Sequence, residues 1–302
     1  MLELPNNFKI KIINRYGETG KKWLENINIV IEKYQKQFNL ETIELIEDLS
    51  INLILFAKCD LYGDVVLKIG APSPSHEIEI MQQYSPNYVA KTYYASSSDK
   101  VQLLERILPG YPLNNLENME ERVKIFAKLA NALFIPATGK ESFETFENIL
   151  NKRFHYVAEN KIHFSDILWM IHTSNELYHK IQAMHLPKYI LHDDLHHKNI
   201  LKTETGWKAI DPHGIIGEKI FECTQFIRSE IENGILEKSR IIKIIDLVSQ
   251  HFNEDQTFIL EALYVYTIDK IIFYTKNNYS KKRISYNINV AKEILNLIDS
   301  QN

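Results

Sequence analysis

"YILHDDLHHKNIL", residues 189–201, packs three histidines and two aspartates into positions 192–197 and then sets Asn199 before a second apolar run. The spacing H-x-D-x-x-x-x-N falls on His192, Asp194 and Asn199, and Asp211 closes the next strand-like segment, "WKAID". In phosphoryl transfer this pattern has a mechanical meaning. One carboxylate orients an attacking hydroxyl, while an amide and a second carboxylate hold Mg²⁺ against nucleotide phosphates. Two other readings compete. One is a solvated, histidine-rich turn, since so short a pattern arises easily by chance. The other is a zinc or dinuclear hydrolase centre built from His192, Asp193, Asp194, His196 and His197. Helical metal motifs set ligands three or four apart on one face, whereas this cluster occupies a short turn between strands. No second histidine-rich cluster completes a coordination shell.

The rest of the chain favours the phosphoryl-transfer reading. "DVVLKIG", residues 64–70, is a short β-branched strand in which Lys68 sits between Leu67 and Ile69, a candidate phosphate-pairing lysine. A partner carboxylate should come from the next helix, where "SHEIEIM" offers Glu77 and Glu79. Glu77 is favoured, because Met81 four residues later keeps the same helical face toward the core. Lysine, glutamate, a punctuated hinge, then the Asp–Asn–Asp set follow one another in kinase order.

Composition sets wide bounds. At 302 residues, 45% hydrophobic and 25% charged, the chain is ordinary globular material at about the limit of a single core, so two lobes with a cleft between them are expected. A net charge of -4 gives no reason to expect nucleic acid and suits a cationic small substrate. Cys59 and Cys223 stand far apart and read as reduced, packed thiols. The N-terminus lacks an apolar signal core and no run reaches membrane-spanning length, so a cytoplasmic location without membrane contact is expected.

Periodicity divides the chain. An amphipathic helix over residues 19–40 precedes strands in "ETIELIE", "INLILFAKC" and "DVVLKIG", a helix in "APSPSHEIEIMQQY", and strands in "AKTYYAS" and "KVQLLERI". Beyond "LPGYP", residues 108–112, nearly everything has helical period, four stretches after Gly217 included. The exception is 188–211, with short strands in "KYIL", "NILK" and "WKAID". The pattern predicts an α+β fold. A small mixed lobe with an antiparallel sheet covers 1–108, and a larger helical lobe carrying the catalytic loop and substrate site covers 109–302.

These segments together resemble the aminoglycoside and hydroxyurea antibiotic-resistance kinase family, whose members include streptomycin 6-phosphotransferases. "YGETGKKWLENINIVIEKYQKQFNL" resembles its N-terminal helix, with Gly-x-x-Gly and Trp-Leu, and "LSINLILFAKCDLYGDVVLKIGAPSPSHEIEIM" its nucleotide lobe. "QLLERILPGYPL" is similar to its hinge, "LHDDLHHKNIL" to its catalytic loop, and "GWKAIDPHGIIGEKIFECTQFIR" to its metal-binding strand and following helix. The resemblance implies a two-lobed, protein-kinase-like fold that uses ATP and Mg²⁺. Lys68 would contact the α- and β-phosphates with Glu77 holding it, and the backbone of Leu104, Glu105 and Arg106 would meet the adenine. Asp194 would be the catalytic base, and Asn199 with Asp211 would bind Mg²⁺.

Departures from the family pattern are visible. Asp193 stands where members commonly carry Gly. "DPH" argues against a protein kinase. No G-x-G-x-x-G loop is present, Ser50 and Asn52 occupying that turn. His192, His196 and His197 read as loop-shaping, and Trp23 and Trp207 as core. The expected acceptor is a cationic aminoglycoside, streptomycin at its 6-hydroxyl, handled by a monomer or weak dimer. Guanidinium pairs best with carboxylates, which makes Asp193, Glu218 and Glu222 the substrate candidates, with Glu230, Glu261 and Asp269 behind them. Hydroxyurea or another small hydroxylated metabolite on the same scaffold is the alternative. A nucleotide-binding module without catalysis is a further one, disfavoured by the intact Lys68, Asp194, Asn199 and Asp211.

Overall fold

The computed structural model describes residues 2–46, 49–73, 75–232 and 236–301. In chain order the elements begin α1 (Asn6–Phe38), β1 (Leu40–Leu45), β2 (Leu53–Cys59), β3 (Gly63–Ile69), α2 (Glu77–Gln83), β4 (Thr92–Ser96), β5 (Val101–Glu105) and β6 (Pro109–Pro112). There follow α3 (Met119–Leu133), β7 (Ile135–Pro136), α4 (Phe146–Glu159), α5 (Leu168–Ala183), β8 (Lys188–Leu191), β9 (Ile200–Thr203), β10 (Trp207–Ala209) and β11 (Ile215–Glu218). The chain ends in α6 (Lys219–Glu232), α7 (Lys238–Phe252), α8 (Gln256–Lys276) and α9 (Lys281–Asp299). The fold is α+β, with a unit built on an antiparallel sheet and a mainly helical unit.

The first unit comprises Met1–Tyr111 and Leu201–Ile210. Its sheet runs β1-β2-β3-β5-β4 with every pairing antiparallel. Alternation makes the core: β2 buries Leu53, Leu55, Ala57 and Cys59 and leaves the intervening residues less covered, as a half-buried strand must. Val65, Leu67 and Ile69 of β3 and Val101 and Leu103 of β5 join that face, with Ile27, Ile31 and Tyr34 of α1 in the same core. Lys68, one step out of phase with Leu67 and Ile69, lies opposite Ile54 on β2 and Gln102 on β5.

Two expectations are corrected here. Helix α1 starts thirteen residues earlier than the predicted helix (Asn6 against Thr19), because "FKIKI" alternates like a strand and hides its helical period. Gly17 breaks the helix at φ 56°, ψ -133°, a conformation confined almost entirely to glycine. A Cβ on Gly20 would lie 2.7 Å from the Ile12 carbonyl oxygen, so "YGETG" combines a break and a close backbone approach. The second correction concerns 201–210, expected with the helical lobe. These residues pack with the first unit, because Ala209 N–H donates to Tyr88 O (2.7 Å) and Ala90 N–H to Ala209 O (3.2 Å). Lys208 Nζ also meets Glu105 Oε2 at 2.6 Å. The division falls after Tyr111 rather than at 108.

The second unit comprises Pro112–Ile200 and Asp211–Asn302. Helix α8 is its centre, with nearly every residue of 258–274 buried, so it shows apolar character all round rather than one stripe. Phe126 of α3 stacks on Phe226 of α6 with centroids 4.0 Å apart. A small sheet, β11-β8-β7, carries the strand that leads into the histidine-rich loop. No helix among the described residues is long and apolar enough to cross a membrane.

Gly17→Ala is expected to destabilise the protein by about 1–3 kcal/mol, since the break in α1 demands a backbone conformation that alanine resists. Urea unfolding followed by far-UV circular dichroism measures it. An unchanged midpoint would show that α1 tolerates a continuous path through residue 17.

Candidate active site

In the first unit Lys68 is 2% exposed and its Nζ lies 2.5 Å from Glu77 Oε1. Gln102 Nε2 donates to the same Glu77 oxygen at 2.8 Å, so the carboxylate is held by two donors from adjacent strands. Glu79 instead approaches His76 Nδ1 at 3.2 Å and is half exposed. Asn52 Oδ1 accepts the Ala71 N–H at 3.0 Å, while Ser50 is exposed. Along the expected hinge Leu104 is buried. The Glu105 and Arg106 amides already donate to Lys91 O (2.8 Å) and Asp64 O (3.3 Å), so those two N–H groups are engaged within the sheet edge.

In the second unit the loop after β8 turns sharply. Asp193 and Asp211 adopt φ 64° and 60°. Aspartate enters this left-handed region more readily than most residues, so position 193 keeps the backbone shape that a glycine would take without strain. His192 is buried, and its Nδ1 accepts the Asp194 N–H at 3.3 Å. Its carbonyl accepts the His213 N–H at 2.9 Å, linking the loop to the chain beyond Asp211.

Asp194 keeps 25% of its side chain exposed. Asn199 Nδ2 donates to Asp194 O (2.9 Å) and Oδ2 (3.0 Å), and Gln225 Nε2 donates to Oδ1 (3.0 Å). Because both neighbours of the Asn199 amide nitrogen are acceptors, its Oδ1 must point the other way. Burial raises the Asp194 carboxyl above its ordinary value, and nearby Asp193 adds to the rise against His196 and His213. His213 lies 3.7 Å from Asp193 Oδ2 and 3.9 Å from Asp194 Oδ2. Desolvation opposes its charge, and the two carboxylates outweigh it and raise the imidazole. At 62% side-chain exposure that shift is softened by solvent.

Helix α6 underpins the loop through one stripe of its surface. Glu222 Oε2 accepts the Asp193 N–H at 3.2 Å, Gln225 reaches Asp194, and Ser229 Oγ meets His197 Nδ1 at 2.5 Å. Glu230 Oε1 takes His197 Nε2 at 2.7 Å, and the His197 ring stacks on Phe226 at 4.7 Å. Arg122 reaches the same carboxylate through Nε (2.5 Å) and Nη2 (2.8 Å), and Arg240 Nη2 follows at 3.2 Å. None of Gln225, Ser229 or Arg122 was singled out by the sequence, because no local spacing connects them to the loop.

The acidic residues expected to meet a cationic substrate are placed differently. Glu218, Glu222, Glu230, Glu261 and Asp269 are all buried. Glu230 is neutralised as described, Glu261 pairs with Lys180 at 2.5 Å, and Asp269 with Arg153 at 3.0 Å. Glu218 ends β11 and Glu222 opens α6, so they do not share a helical face. Glu222 is 1% exposed and its carboxyl is pushed up to about 8 by burial, so at neutral pH it is mainly the uncharged acid. An uncharged, covered carboxyl holding a loop amide is no guanidinium partner. Asp193, half-buried beside His213, is the substrate candidate that retains surface.

For a magnesium ion, the Asn199 amide oxygen and the Asp211 carboxylate are hard oxygen donors. That suits a cation which retains water and phosphate oxygens in its shell. Among the described residues no group of three or more His, Cys, Asp or Glu is arranged around a single metal position.

The fold is that of small-molecule kinases. A choline kinase from Streptococcus pneumoniae superposes with a TM-score of 0.65 at 13% identity, over 90% of this chain and 99% of that one. An ethanolamine kinase from Plasmodium vivax gives 0.65 at 15%, over 100% and 98%. A thermostable aminoglycoside phosphotransferase solved with ADP and hygromycin B gives 0.64 at 11%, over 88% and 97%. Residues 66–276 match the model of the aminoglycoside/hydroxyurea antibiotic resistance kinases, and the chain belongs to that family. A streptomycin 3''-kinase from Klebsiella pneumoniae is 58% identical over 33 residues, which span 11% of this chain and 12% of that protein.

The Glu230 cluster gives stability a pH dependence. Burial alone would raise this carboxyl, but the Arg122 and His197 hydrogen bonds dominate and hold it at about 2, against an ordinary 4.5. A depressed folded value contributes stability that is complete above the unfolded value and lost as pH falls through the folded one. Urea midpoints are therefore expected to fall between about pH 4.5 and pH 2, and Glu230→Gln should flatten that part of the profile and lower stability at pH 7. A variant as stable as the parent at pH 7 would show that the cluster contributes nothing.

Proposed function

We propose that the protein transfers the γ-phosphoryl group of ATP to a hydroxyl of an aminoglycoside, streptomycin being the first acceptor to test, with Asp194 as the base. The observation that carries this is the Asp194 carboxylate itself. It is partly exposed, fixed by one neutral donor on each oxygen, and made more basic by its burial. Membership of the family supports the reaction class, and the neighbour solved with ADP and hygromycin B supports the substrate class.

In this reading the acceptor hydroxyl oxygen forms a bond to the γ-phosphorus as the bond from that phosphorus to the β–γ bridging oxygen breaks. ADP leaves, and the hydroxyl proton passes to Asp194. Lys68, held by Glu77 and unable to swing away, contacts the α- and β-phosphates. Asn199 and Asp211 would hold Mg²⁺, which when bound supplies positive charge beside the transferring phosphoryl group. Backbone groups near residues 104–106 meet the adenine, and Ser50 and Asn52 shape the turn that covers the phosphates. Like its reaction, the protein's place is the cytoplasm, where ATP is available.

A second acceptor class is supported by a specific observation. The five acidic residues after Gly217 considered as guanidinium partners are all buried. That favours a smaller, less cationic hydroxyl compound, hydroxyurea included, on the same machinery.

Asp194→Asn is expected to lower kcat on the order of 10²–10⁴-fold while ATP still binds with near-native affinity. Near-native turnover by this variant at saturating acceptor would remove Asp194 from the base role. A panel of acceptors assayed for ADP release should show stimulation by streptomycin, and NMR of the product should place phosphate on the 6-hydroxyl. Phosphate on the 3''-hydroxyl would move the regiochemistry. No stimulation by streptomycin alongside stimulation by another alcohol would replace the substrate and leave the kinase reading standing.

A further inference from the structure

We infer that Gln225, oriented by Tyr266, is a positioning residue that fixes the Asp194 carboxylate for proton acceptance. The inference rests on the reading of Asp194 as the base. Gln225 Nε2 donates to Asp194 Oδ1 at 3.0 Å, and Tyr266 Oη lies 2.5 Å from Gln225 Oε1. The order of these contacts matters. A glutamine amide can rotate by half a turn, which would set its oxygen against the carboxylate and repel it. Two contacts oppose that rotation: the Asp194 carboxylate accepts only, which draws the N–H₂ end toward it, and the Tyr266 phenol donates to Oε1 on the other side.

Tyr266 is itself immobile. It is buried on the central helix α8, with Lys270 Nζ 4.4 Å from its ring centroid, Arg228 5.8 Å away, and Phe146 stacked at 6.3 Å. Burial raises its phenol, so the O–H donor persists throughout the neutral range. The relay thus runs from a rigid core helix, through α6, to the reacting carboxylate.

The chemistry of the donor suits a base. Arg or Lys at position 225 would orient Asp194 equally well but would stabilise its anion and weaken it as a proton acceptor. A neutral amide fixes the rotamer without adding a positive charge beside the carboxylate. With Asn199 on Oδ2 and Gln225 on Oδ1, rotation about the Cβ–Cγ bond would break both bonds at once. Each oxygen keeps a second lone pair for the incoming proton.

The test uses the full-length chain with Gln225→Met, Tyr266→Phe, their combination, and Asp194→Asn. Methionine matches glutamine in length and lacks the donor. ADP release is followed with streptomycin as acceptor and, separately, with water alone, and ATP binding is measured by calorimetry. Gln225→Met should lower kcat on the order of 10-fold, the loss of about one oriented hydrogen bond, with KM and affinity for ATP unchanged. Tyr266→Phe should give a smaller fall. The double variant should be no slower than Gln225→Met, because both act on one chain of contacts. A merely structural role would instead lower the unfolding temperature or move KM.

If Asp194→Asn is inactive but Gln225→Met keeps native kcat, the relay is overturned and the base assignment stands. If Asp194→Asn stays active, the base assignment fails and the relay with it. Multiplicative losses in the double variant would show that Tyr266 does not act through Gln225, overturning the relay. Should Gln225→Met not fold, a crystal structure of Tyr266→Phe decides. A rotated Gln225 amide and a displaced Asp194 carboxylate support the relay, and an unmoved pair overturns it.

Discussion

The second unit depends on one carboxylate with no access to water. Glu230 is 0% exposed, and an isolated charge in such a position would cost several kcal/mol or be neutralised by a proton. It stays ionised because Arg122 from α3, His197 from the loop and Arg240 from α7 converge on it. Arg122 is itself completed by the Leu116 and Glu117 carbonyls at 2.5 and 2.8 Å. Glu230 thus draws α3, α6, α7 and the loop to one point, and removing its side chain would leave the buried Arg122 guanidinium without a counter-charge. Asn199 lies two residues beyond His197, so the geometry of the Asp194–Asn199 pair inherits the rigidity of this buried cluster.

Much of this fold was legible wherever side-chain period and burial agree. Strand β2 alternates cleanly, and helices α7 and α9 bury one face at helical spacing, whereas α8 is recognisable by its continuous apolar run. The reading failed where period misled or local sequence carried no weight. "FKIKI" alternates and yet is helical, since a helix needs only one face buried and Phe8 and Ile12 supply it. Strand β11 was not expected, because "IIGE" lies beyond the strand-bearing 188–211 segment and runs directly into the helical period of α6. Residues 201–210 join the first unit through backbone pairing with Tyr88 and Ala90, a contact made more than a hundred residues away in sequence, which no local window contains.

For the site, the same distinction separates what was found from what was missed. His192, Asp194 and Asn199 share one short turn, so a motif captures them, and the pairing of Lys68 with Glu77 follows from a strand and the helix after it. Gln225 and Glu230 reach the loop from a helix about thirty positions downstream, Tyr266 reaches Gln225 from the central helix α8, and only folding brings them there. The acidic residues after Gly217 show the converse error. Spacing identified carboxylates near the loop but not the direction in which they point, and every one of the five turned inward. Three of them have cationic partners, whereas Glu222 avoids the cost of a buried charge by staying protonated.

This inward turn bears on how an acceptor could be recognised in the proposed reaction. Among the acidic side chains considered for that role, Asp193 alone keeps surface, and it already faces His213. A guanidinium arriving there must displace a partner that the same carboxylate helps to keep charged, so the net gain is smaller than for a free carboxylate. The left-handed backbone at Asp193 adds a second constraint, since the side chain leaves a turn whose amide is held by Glu222 and cannot adjust its direction by moving the loop. The acidic side chains considered for that role therefore offer a cationic acceptor little charge to grip. In the proposed reaction, discrimination would come instead from directional hydrogen bonds that align one hydroxyl with Asp194, whose carboxylate the α6 stripe holds in place.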